Sequence, residues 1–327
     1  MSVQNLGKDI QDSEPETCVS LSRVGITGLK RVLRLHSGGR RGSSIFFAEM
    51  DLYAHLDASR SGVHMSRFIE NIEDISSMMS AESSPDIETL AERMALAVSK
   101  TQGTRRAEVR IKAQFPLTRR TPVSGSAVED MYTFIGIAIS DGVSTRRAAG
   151  VEVTGLTVCP CAEAMASEHA RGALLSAGYT AAQADEIISI VPIASHNQRG
   201  RGTLIIGAQI PLRAETLVDI SENAMSSGIY ELMKRPDELH VVLRAHSRPR
   251  FAEDVVREMI GGVAGRLPGL PDDAFVLARQ ENFESIHAHN ASAERCGLLG
   301  GMRREIAGER NDSRDFSSLE AWLESLL

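Results

Sequence analysis

The feature that most constrains this chain is a change of hydrophobic period that runs through the same order twice. Over residues 19–36 and 44–57 apolar side chains fall at roughly alternate positions, as in half-buried strands. Over 66–79 (Phe68, Ile69, Ile72, Ile75, Met79) and 86–99 (Ile87, Leu90, Ala91, Met94, Val98) the spacing becomes three and four, as in amphipathic helices, and Pro85 stands just before the second. Alternation returns over 105–117 and 131–139. The order then recurs, with strands over 151–158 and 203–212, helices over 214–227 and 251–266, and a strand over 274–286. Strands that come in adjacent pairs, with helices also in pairs, predict an α+β protein of antiparallel sheets with helix pairs on one face, and not a parallel doubly wound sheet. The first two strands read as a hairpin around residues 37–42, with one slip of alternation that a β-bulge would produce.

This reading divides the chain into an arm over 1–18, too polar to bury and expected to be disordered, a first unit over 19–142, a second over 143–295, and a C-terminal tail over 296–327. An insertion over 162–190 interrupts the second unit and reads as two helices broken at Gly178. Near the end of the tail Phe316, Leu319, Leu323 and Leu326 share one helical face with Trp322 beside it, a stripe suited to packing on the body or on a partner subunit.

The insertion is flanked by metal-ligating chemistry. Cys159-Pro160-Cys161 closes one β-branched run, and His196-Asn197-Gln198-Arg199-Gly200-Arg201-Gly202 precedes another. A ligand at a strand end is held by the sheet while the loop beside it stays open to substrate. Two thiols one residue apart point to opposite faces of a strand and do not easily share a metal. Cys159 is therefore the expected ligand, and Cys161, just inside the following helix, a neighbour. The alternative is that both are buried cysteines acting as small apolar residues.

Composition narrows the function. A chain of 327 residues, 42% hydrophobic and 24% charged, is an ordinary globular protein with room for one large core or two modest ones. No apolar run has the length of a membrane span and the N-terminus lacks the order of a signal peptide, so a soluble, cytoplasmic protein is expected. Four irregularly spaced cysteines do not make a disulfide framework. A formal charge of −7 offers no face-wide basic excess for nucleic acid, so any phosphate site must be local.

Further polar segments stand out. In Lys234-Arg235-Pro236-Asp237-Glu238 the proline is expected to break a helix and leave two cations and two carboxylates in a loop, a solvated helix end being the plainer account. Glu253 and Asp254 in Phe251-Ala252-Glu253-Asp254 fall in the first turn of a helix, where capping is a sufficient role. Glu284-Ser285-Ile286-His287-Ala288-His289 ends a strand with a carboxylate and two imidazoles; regular alternation would set both histidines on one face and Glu284 on the other. Gly62-Val63-His64-Met65-Ser66-Arg67 opens a helix with a histidine and an arginine.

Taken together and in order, these segments resemble the type IB GTP cyclohydrolases and their archaeal relatives, over roughly residues 19–289. The resemblance implies the tunneling fold, with two units per chain and a homo-oligomer, here expected as a homotetramer. It implies a divalent metal (Fe²⁺, Zn²⁺ or Mn²⁺) held by Cys159, His196 and Glu238, a mixed sulfur, nitrogen and oxygen set that suits those ions. It implies Glu253 as the carboxylate that anchors the guanine edge of GTP, and Glu284 and His287 as the catalytic pair beside the metal site. Arg199, Arg201, Lys234, Arg235 and Arg67 are candidate cations for the triphosphate, and His64 a further substrate contact. The implied reaction opens the guanine imidazole ring at C8, releases formate and yields 7,8-dihydroneopterin triphosphate. The shorter bacterial members join the two ligand motifs directly, whereas 162–195 intervene here as in the archaeal relatives, whose iron enzymes release the 2′,3′-cyclic phosphate. A third alternative is a non-catalytic metal-binding scaffold or regulator of the same fold.

Overall fold

A computed structural model describes residues 10–36, 43–80, 86–310 and 316–325. The turn at 37–42, Pro85, Leu326 and the first nine residues of the expected arm lie outside the described residues. The rest of the arm begins docked: Ser61 and Gly62 donate backbone hydrogen bonds to Ser13 and Gln11, and Arg60 pairs with Asp12 at 3.0 Å.

In the first half, β1 (Leu21–His36) and β2 (Ser43–Leu56) form the hairpin, with register shifts at two places where the alternation suggested one. α1 (Met65–Ser80) and α2 (Ile87–Gln102) follow, and β3 (Ala107–Arg120) and β4 (Ala127–Ser140) extend the sheet. The second half opens with β5 (Thr145–Val158), passes through the inserted pair α3 (Pro160–Ser176) and α4 (Ala181–Ile190), and returns as β6 (Asn197–Gly207). Gly178 stands in the break between the inserted helices, as expected. Then come α5 (Ala214–Ala224), the short β7 (Ser227–Gly228), α6 (Arg235–His246), α7 (Ala252–Arg266), β8 (Phe275–Asn282), β9 (Ala291–Leu298), α8 (Leu299–Ile306) and α9 (Leu319–Glu324).

The two expected sheets are one. β5 pairs with β4 from Thr133↔Glu152 to Ser140↔Thr145, so the halves join edge to edge in the antiparallel order β1-β2-β3-β4-β5-β6-β8-β9, with β7 beside β5. Strand β4 shows how the layers divide. Its Phe134 and Ala138 pack with the helices, in cores built from Phe68, Ile72, Leu90 and Met94 on the first half and Leu217, Val218, Met259 and Val263 on the second. Its Ile135, Ile137 and Ile139 face the other way and meet Leu319, Trp322 and Leu323 of α9. Period-two alternation therefore sends one set of side chains to the helix pairs and the other to the C-terminal helix.

Several boundaries differ from expectation, each for a physical reason. β6 lies at 197–207 and not 203–212, because the buried positions of its first half are Gln198, Gly200 and Gly202, alternating with exposed polar residues, and carry no apolar signal. At Gly200 a Cβ would meet the Gln280 side chain at 2.1 Å, so the strand has no side chain where the neighbouring strand's buried amides cross it. α6 was missed because Pro236 was read as a breaker; it occupies the first turn, where its lack of an N–H costs nothing. β8 stops at Asn282 instead of 286, and the next strand and helix, β9 and α8, were not foreseen.

Candidate active site

Cys159 and His196 face each other across the ends of β5 and β6. Pairing of those strands runs to Val158↔Asn197, and one step further the Cys159 N–H donates to the His196 carbonyl at 3.1 Å. Cys159 caps α3, its Sγ accepting from the Ala162 N–H at 3.5 Å, whereas Cys161 is exposed on the helix. The residue that orients the imidazole is Gln198, which the sequence reading quoted but gave no role. Its Nε2 donates to Thr157 Oγ1 at 3.0 Å and its Oε1 lies 3.1 Å from His196 Nδ1, an arrangement that puts the ring proton on Nδ1 and turns the Nε2 lone pair outward. The signal for it was spacing: two residues along a strand from His196 is the same face.

The segment after β8 is a loop, not a continuing strand, so the two-face expectation for its acid and histidines does not hold. The loop brings them together. Glu284 Oε2 lies 3.8 Å from His196 Nδ1, with both side chains close to nine-tenths buried, and it has no hydrogen-bond partner. Ser285 Oγ is 3.4 Å from the same nitrogen. The His287 ring stands edge-on to His196 at 6.4 Å and stacks on His289 at 5.3 Å. A thiol, an imidazole, a carboxylate and a second imidazole thus collect at one end of the sheet, with the chemistry to hold and pass protons.

The remaining expected site residues lie elsewhere. Lys234, Arg235 and Glu238 are exposed at the start of α6, which is pinned by Asp237 between them. Asp237 accepts from the Val123 and Ser124 N–H groups at 2.8 Å each, from Ser124 Oγ at 2.6 Å and from the Lys234 N–H at 3.1 Å. Burial alone would raise its pKa, but these hydrogen bonds outweigh it and hold the carboxyl well below the usual range. Among the described residues no three histidine, cysteine or acidic side chains form a metal-binding group, so Glu238 is not gathered with Cys159 and His196 in the single chain. Glu253 lines another cleft, of about 580 Å³, with Arg257 and Ile260 of α7 and Glu294 and Met302 across from it. Arg201 is engaged by Glu281 at 2.6 Å, and Arg199 is exposed on β6. His64 and Arg67 sit at the head of α1, where the His64 N–H donates to Gln102 and the Arg67 guanidinium to the Thr101 carbonyl at 3.0 Å.

Comparison with known proteins shows the family and the fold. Residues 8–293 match the family described as type I GTP cyclohydrolase folE2. The chain is 40% identical over 307 residues to a protein named GTP cyclohydrolase MptA from Methanothermobacter thermautotrophicus, covering 91% of this chain and 95% of that one. It is 37% identical to the protein of the same name from Methanococcus aeolicus, covering 91% and 99%. Among solved structures, a uricase from Arthrobacter globiformis superposes with a TM-score of 0.53 at 10% identity, over 92% of this chain and 97% of that one. That likeness is one of architecture, the tunneling fold, with its antiparallel sheet and helices on one face. A family match across most of the chain, joined to 40% identity over nearly the whole of a relative, identifies this protein as an enzyme of the type I GTP cyclohydrolase folE2 family.

Proposed function

We propose that this enzyme is of the type IB kind: it opens the guanine imidazole ring of GTP at C8, releases that carbon as formate, and closes the ribose carbons onto the freed nitrogen as 7,8-dihydroneopterin triphosphate. The observation that carries the reading is the convergence of His196, Glu284 and His287 beside Cys159, in a chain of this family. A divalent ion, Fe²⁺, Zn²⁺ or Mn²⁺, fits the first two ligands: Gln198 holds the His196 ring by Nδ1, leaving Nε2 for a cation, and the Cys159 thiol stands on the adjoining strand end. Glu238, exposed on the first turn of α6, would complete the set. When bound, such a metal lowers the pKa of water toward 7 and supplies a nucleophile at neutral pH.

The chain's own residues do the rest. Glu284, whose enclosed Oε2 has no hydrogen-bond partner among the described residues, and His287 would take and return protons as C8 is attacked and the ring nitrogen leaves. Glu253 would accept hydrogen bonds from the guanine N1–H and 2-amino group, two donors meeting two oxygens. Arg67, Arg199, Arg201, Lys234 and Arg235, with His64, are the proposed contacts to the rest of GTP, Arg201 exchanging Glu281 for phosphate. The cleft that Glu253 lines does not include the His196 group, so a second subunit is proposed to bring them to one substrate in a homotetramer. The sheet edges β1 and β9, each paired on one side only among the described residues, support such an assembly. No helix among the described residues is long and apolar enough to cross a membrane, and a cytoplasmic location is proposed.

A second reading keeps the ring opening but ends at the 2′,3′-cyclic phosphate. It is favoured by the inserted helices, a feature of the archaeal relatives, and by the identity to the Methanothermobacter protein. One experiment tests both. Anaerobically metal-reloaded protein is incubated with GTP, and the product is oxidised to a fluorescent pterin, then weighed before and after phosphatase treatment. A pterin and formate are expected; no pterin with iron, zinc or manganese overturns the proposal, and the product mass chooses between the two phosphate forms.

A further inference from the structure

Between the inserted helices and α6 lies a cleft of about 840 Å³, in the range of small-molecule sites. One wall carries Glu163 and Ser167 of α3 and the chain after α4; the other carries His240, Arg244 and His246, with Arg248 at the end of α6. We propose that this cleft binds the polyphosphate of the nucleotide substrate, an assignment that rests on the reaction proposed above and adds cations outside the set named from sequence.

Three observations carry it. First, Arg244, Arg248 and Arg250 crowd together with little opposing charge. Arg250 pairs with Glu258 at 3.0 Å, but among the described residues Arg244 and Arg248 donate to the neutral side-chain and backbone oxygens of Asn223, at 3.3 and 3.1 Å. Burial, and then the neighbouring Arg250 and Arg244, lower the pKa of Arg248, and Glu258 only partly offsets them. Second, three side chains lining the cleft each carry an enclosed polar atom without a hydrogen-bond partner among the described residues: Arg244 Nε, His246 Nδ1 and Glu163 Oε2. The Arg244 guanidinium on the cleft wall is thus not saturated within the chain, and its planar fork suits phosphate geometry. The carboxylate is an acceptor that repels bare phosphate but would receive a hydroxyl, so the three together fit a ligand with both groups, as a nucleotide has. Third, the cleft adjoins the ligand end of the sheet. The Glu163 N–H donates to the Cys159 carbonyl at 3.2 Å and the Arg250 N–H to the Val158 carbonyl at 2.9 Å. The insertion would thus serve as the outer wall of a phosphate site next to Cys159.

The test uses full-length, anaerobically metal-loaded protein and inorganic tripolyphosphate as probe, followed by titration calorimetry and by GTP kinetics. Wild type should bind tripolyphosphate, which should compete with GTP. Arg244→Gln with Arg248→Gln should weaken tripolyphosphate and raise KM for GTP by about tenfold or more, with kcat changed far less. Because the arginines also tie down Asn223, Ser167→Glu provides a second variant that adds a negative charge to the opposite wall and removes none of those hydrogen bonds; the same losses are expected, with an unchanged melting temperature. If the folded Ser167→Glu protein keeps wild-type tripolyphosphate affinity and KM while turning over GTP, the cleft is not the phosphate site and the reaction assignment stands. If wild type does not turn over GTP yet binds tripolyphosphate, and both variants lose it, the reaction assignment fails and the anion site stands.

Discussion

At the start of α7 two neighbouring acids divide two roles. Asp254 turns back on the helix end, its Oδ2 accepting the Phe251 N–H at 3.0 Å, and it also meets Arg257 at 3.0 Å. Glu253 is exposed and lines the cleft in front of β9 and α8. Capping, which alone could have explained an acid here, is therefore already supplied by Asp254. Glu253→Gln should change stability by no more than about 1 kcal/mol. It should lower kcat/KM for GTP about a hundredfold, since an amide accepts one hydrogen bond where the carboxylate accepts two, and hydrogen bonds to charged groups contribute about 1.5–3 kcal/mol each. Asp254→Ala should show the opposite profile, losing about 0.3–1.5 kcal/mol of stability with turnover largely kept. Melting curves and steady-state kinetics on both variants check this, and near-normal GTP turnover by Glu253→Gln would remove it from the site. The cysteines give a parallel contrast. Cys159→Ala should strip most bound metal and nearly all turnover, and Cys161→Ala, altering an exposed thiol on α3, should do neither. Metal analysis showing equal loss would mean that the wrong thiol was chosen.

Where the two halves of the chain meet, elements are joined by charge as well as by packing. Arg119 of β3 reaches Glu222 of α5 at 2.6 Å, Asp130 and Tyr132 of β4 at 3.3 and 2.7 Å, and lies over the Tyr230 ring beyond β7 at 4.5 Å. Tyr132 in turn donates to Glu222 at 2.7 Å. Burial raises the Glu222 pKa and Arg119 opposes the rise, so the cation is what keeps a buried carboxylate tolerable. Arg119→Met should cost about 3–5 kcal/mol at pH 7, the usual effect of removing one partner of a buried pair. The sign of the pH dependence follows from the raised pKa. A carboxyl that is harder to ionise in the folded state costs stability when ionised, and the cost fades as pH falls through its folded value. The deficit of Arg119→Met relative to wild type should therefore shrink as pH falls from neutral toward the ordinary carboxylate range in denaturant titrations; a deficit that stays constant down to that range would show that Glu222 is not the group left unpaired.

For the molecule as a whole, the sheet has one face under helix pairs and the other partly under α9. Trp322 stacks on Phe275 at 5.4 Å with the Arg146 guanidinium 4.9 Å from its ring, and Arg110 and Arg106 pair with Glu320 and Glu324 at 2.9 and 2.8 Å. Gly207 makes room for it, since a Cβ there would meet the indole at 2.4 Å. Trp322→Ala should cost about 3–5 kcal/mol, as large-to-small changes at buried aromatics do. The Cys159, His196 and Glu284 group lies at the opposite end of β6 from Gly207, so residual activity per folded molecule should be kept, which melting and activity measured together would check. Light scattering on the intact protein should give the mass of four chains; a monomer with full GTP turnover would remove the need for a second subunit.

The order of strands and helices was legible because burial on one face leaves a period in the chain: the alternation of β4 and the three-and-four spacing of α1, α2 and α7 are each local records of a local constraint. The nearness of Cys159 and His196 was legible too, since the two residues end adjoining strands. The glycine-spaced start of β6 was not, because its buried positions are filled by Gln280 and other side chains from distant sequence. Nor was α6, whose proline reads the same whether it stops a helix or starts one. The meeting of Glu284 and His287 with His196 depends on a loop, and the placing of Arg244 and Arg248 across a cleft from the inserted helices depends on packing between segments far apart in the chain. Such contacts leave no period in the sequence, since each partner's position is set by the sheet between them and not by its own neighbours.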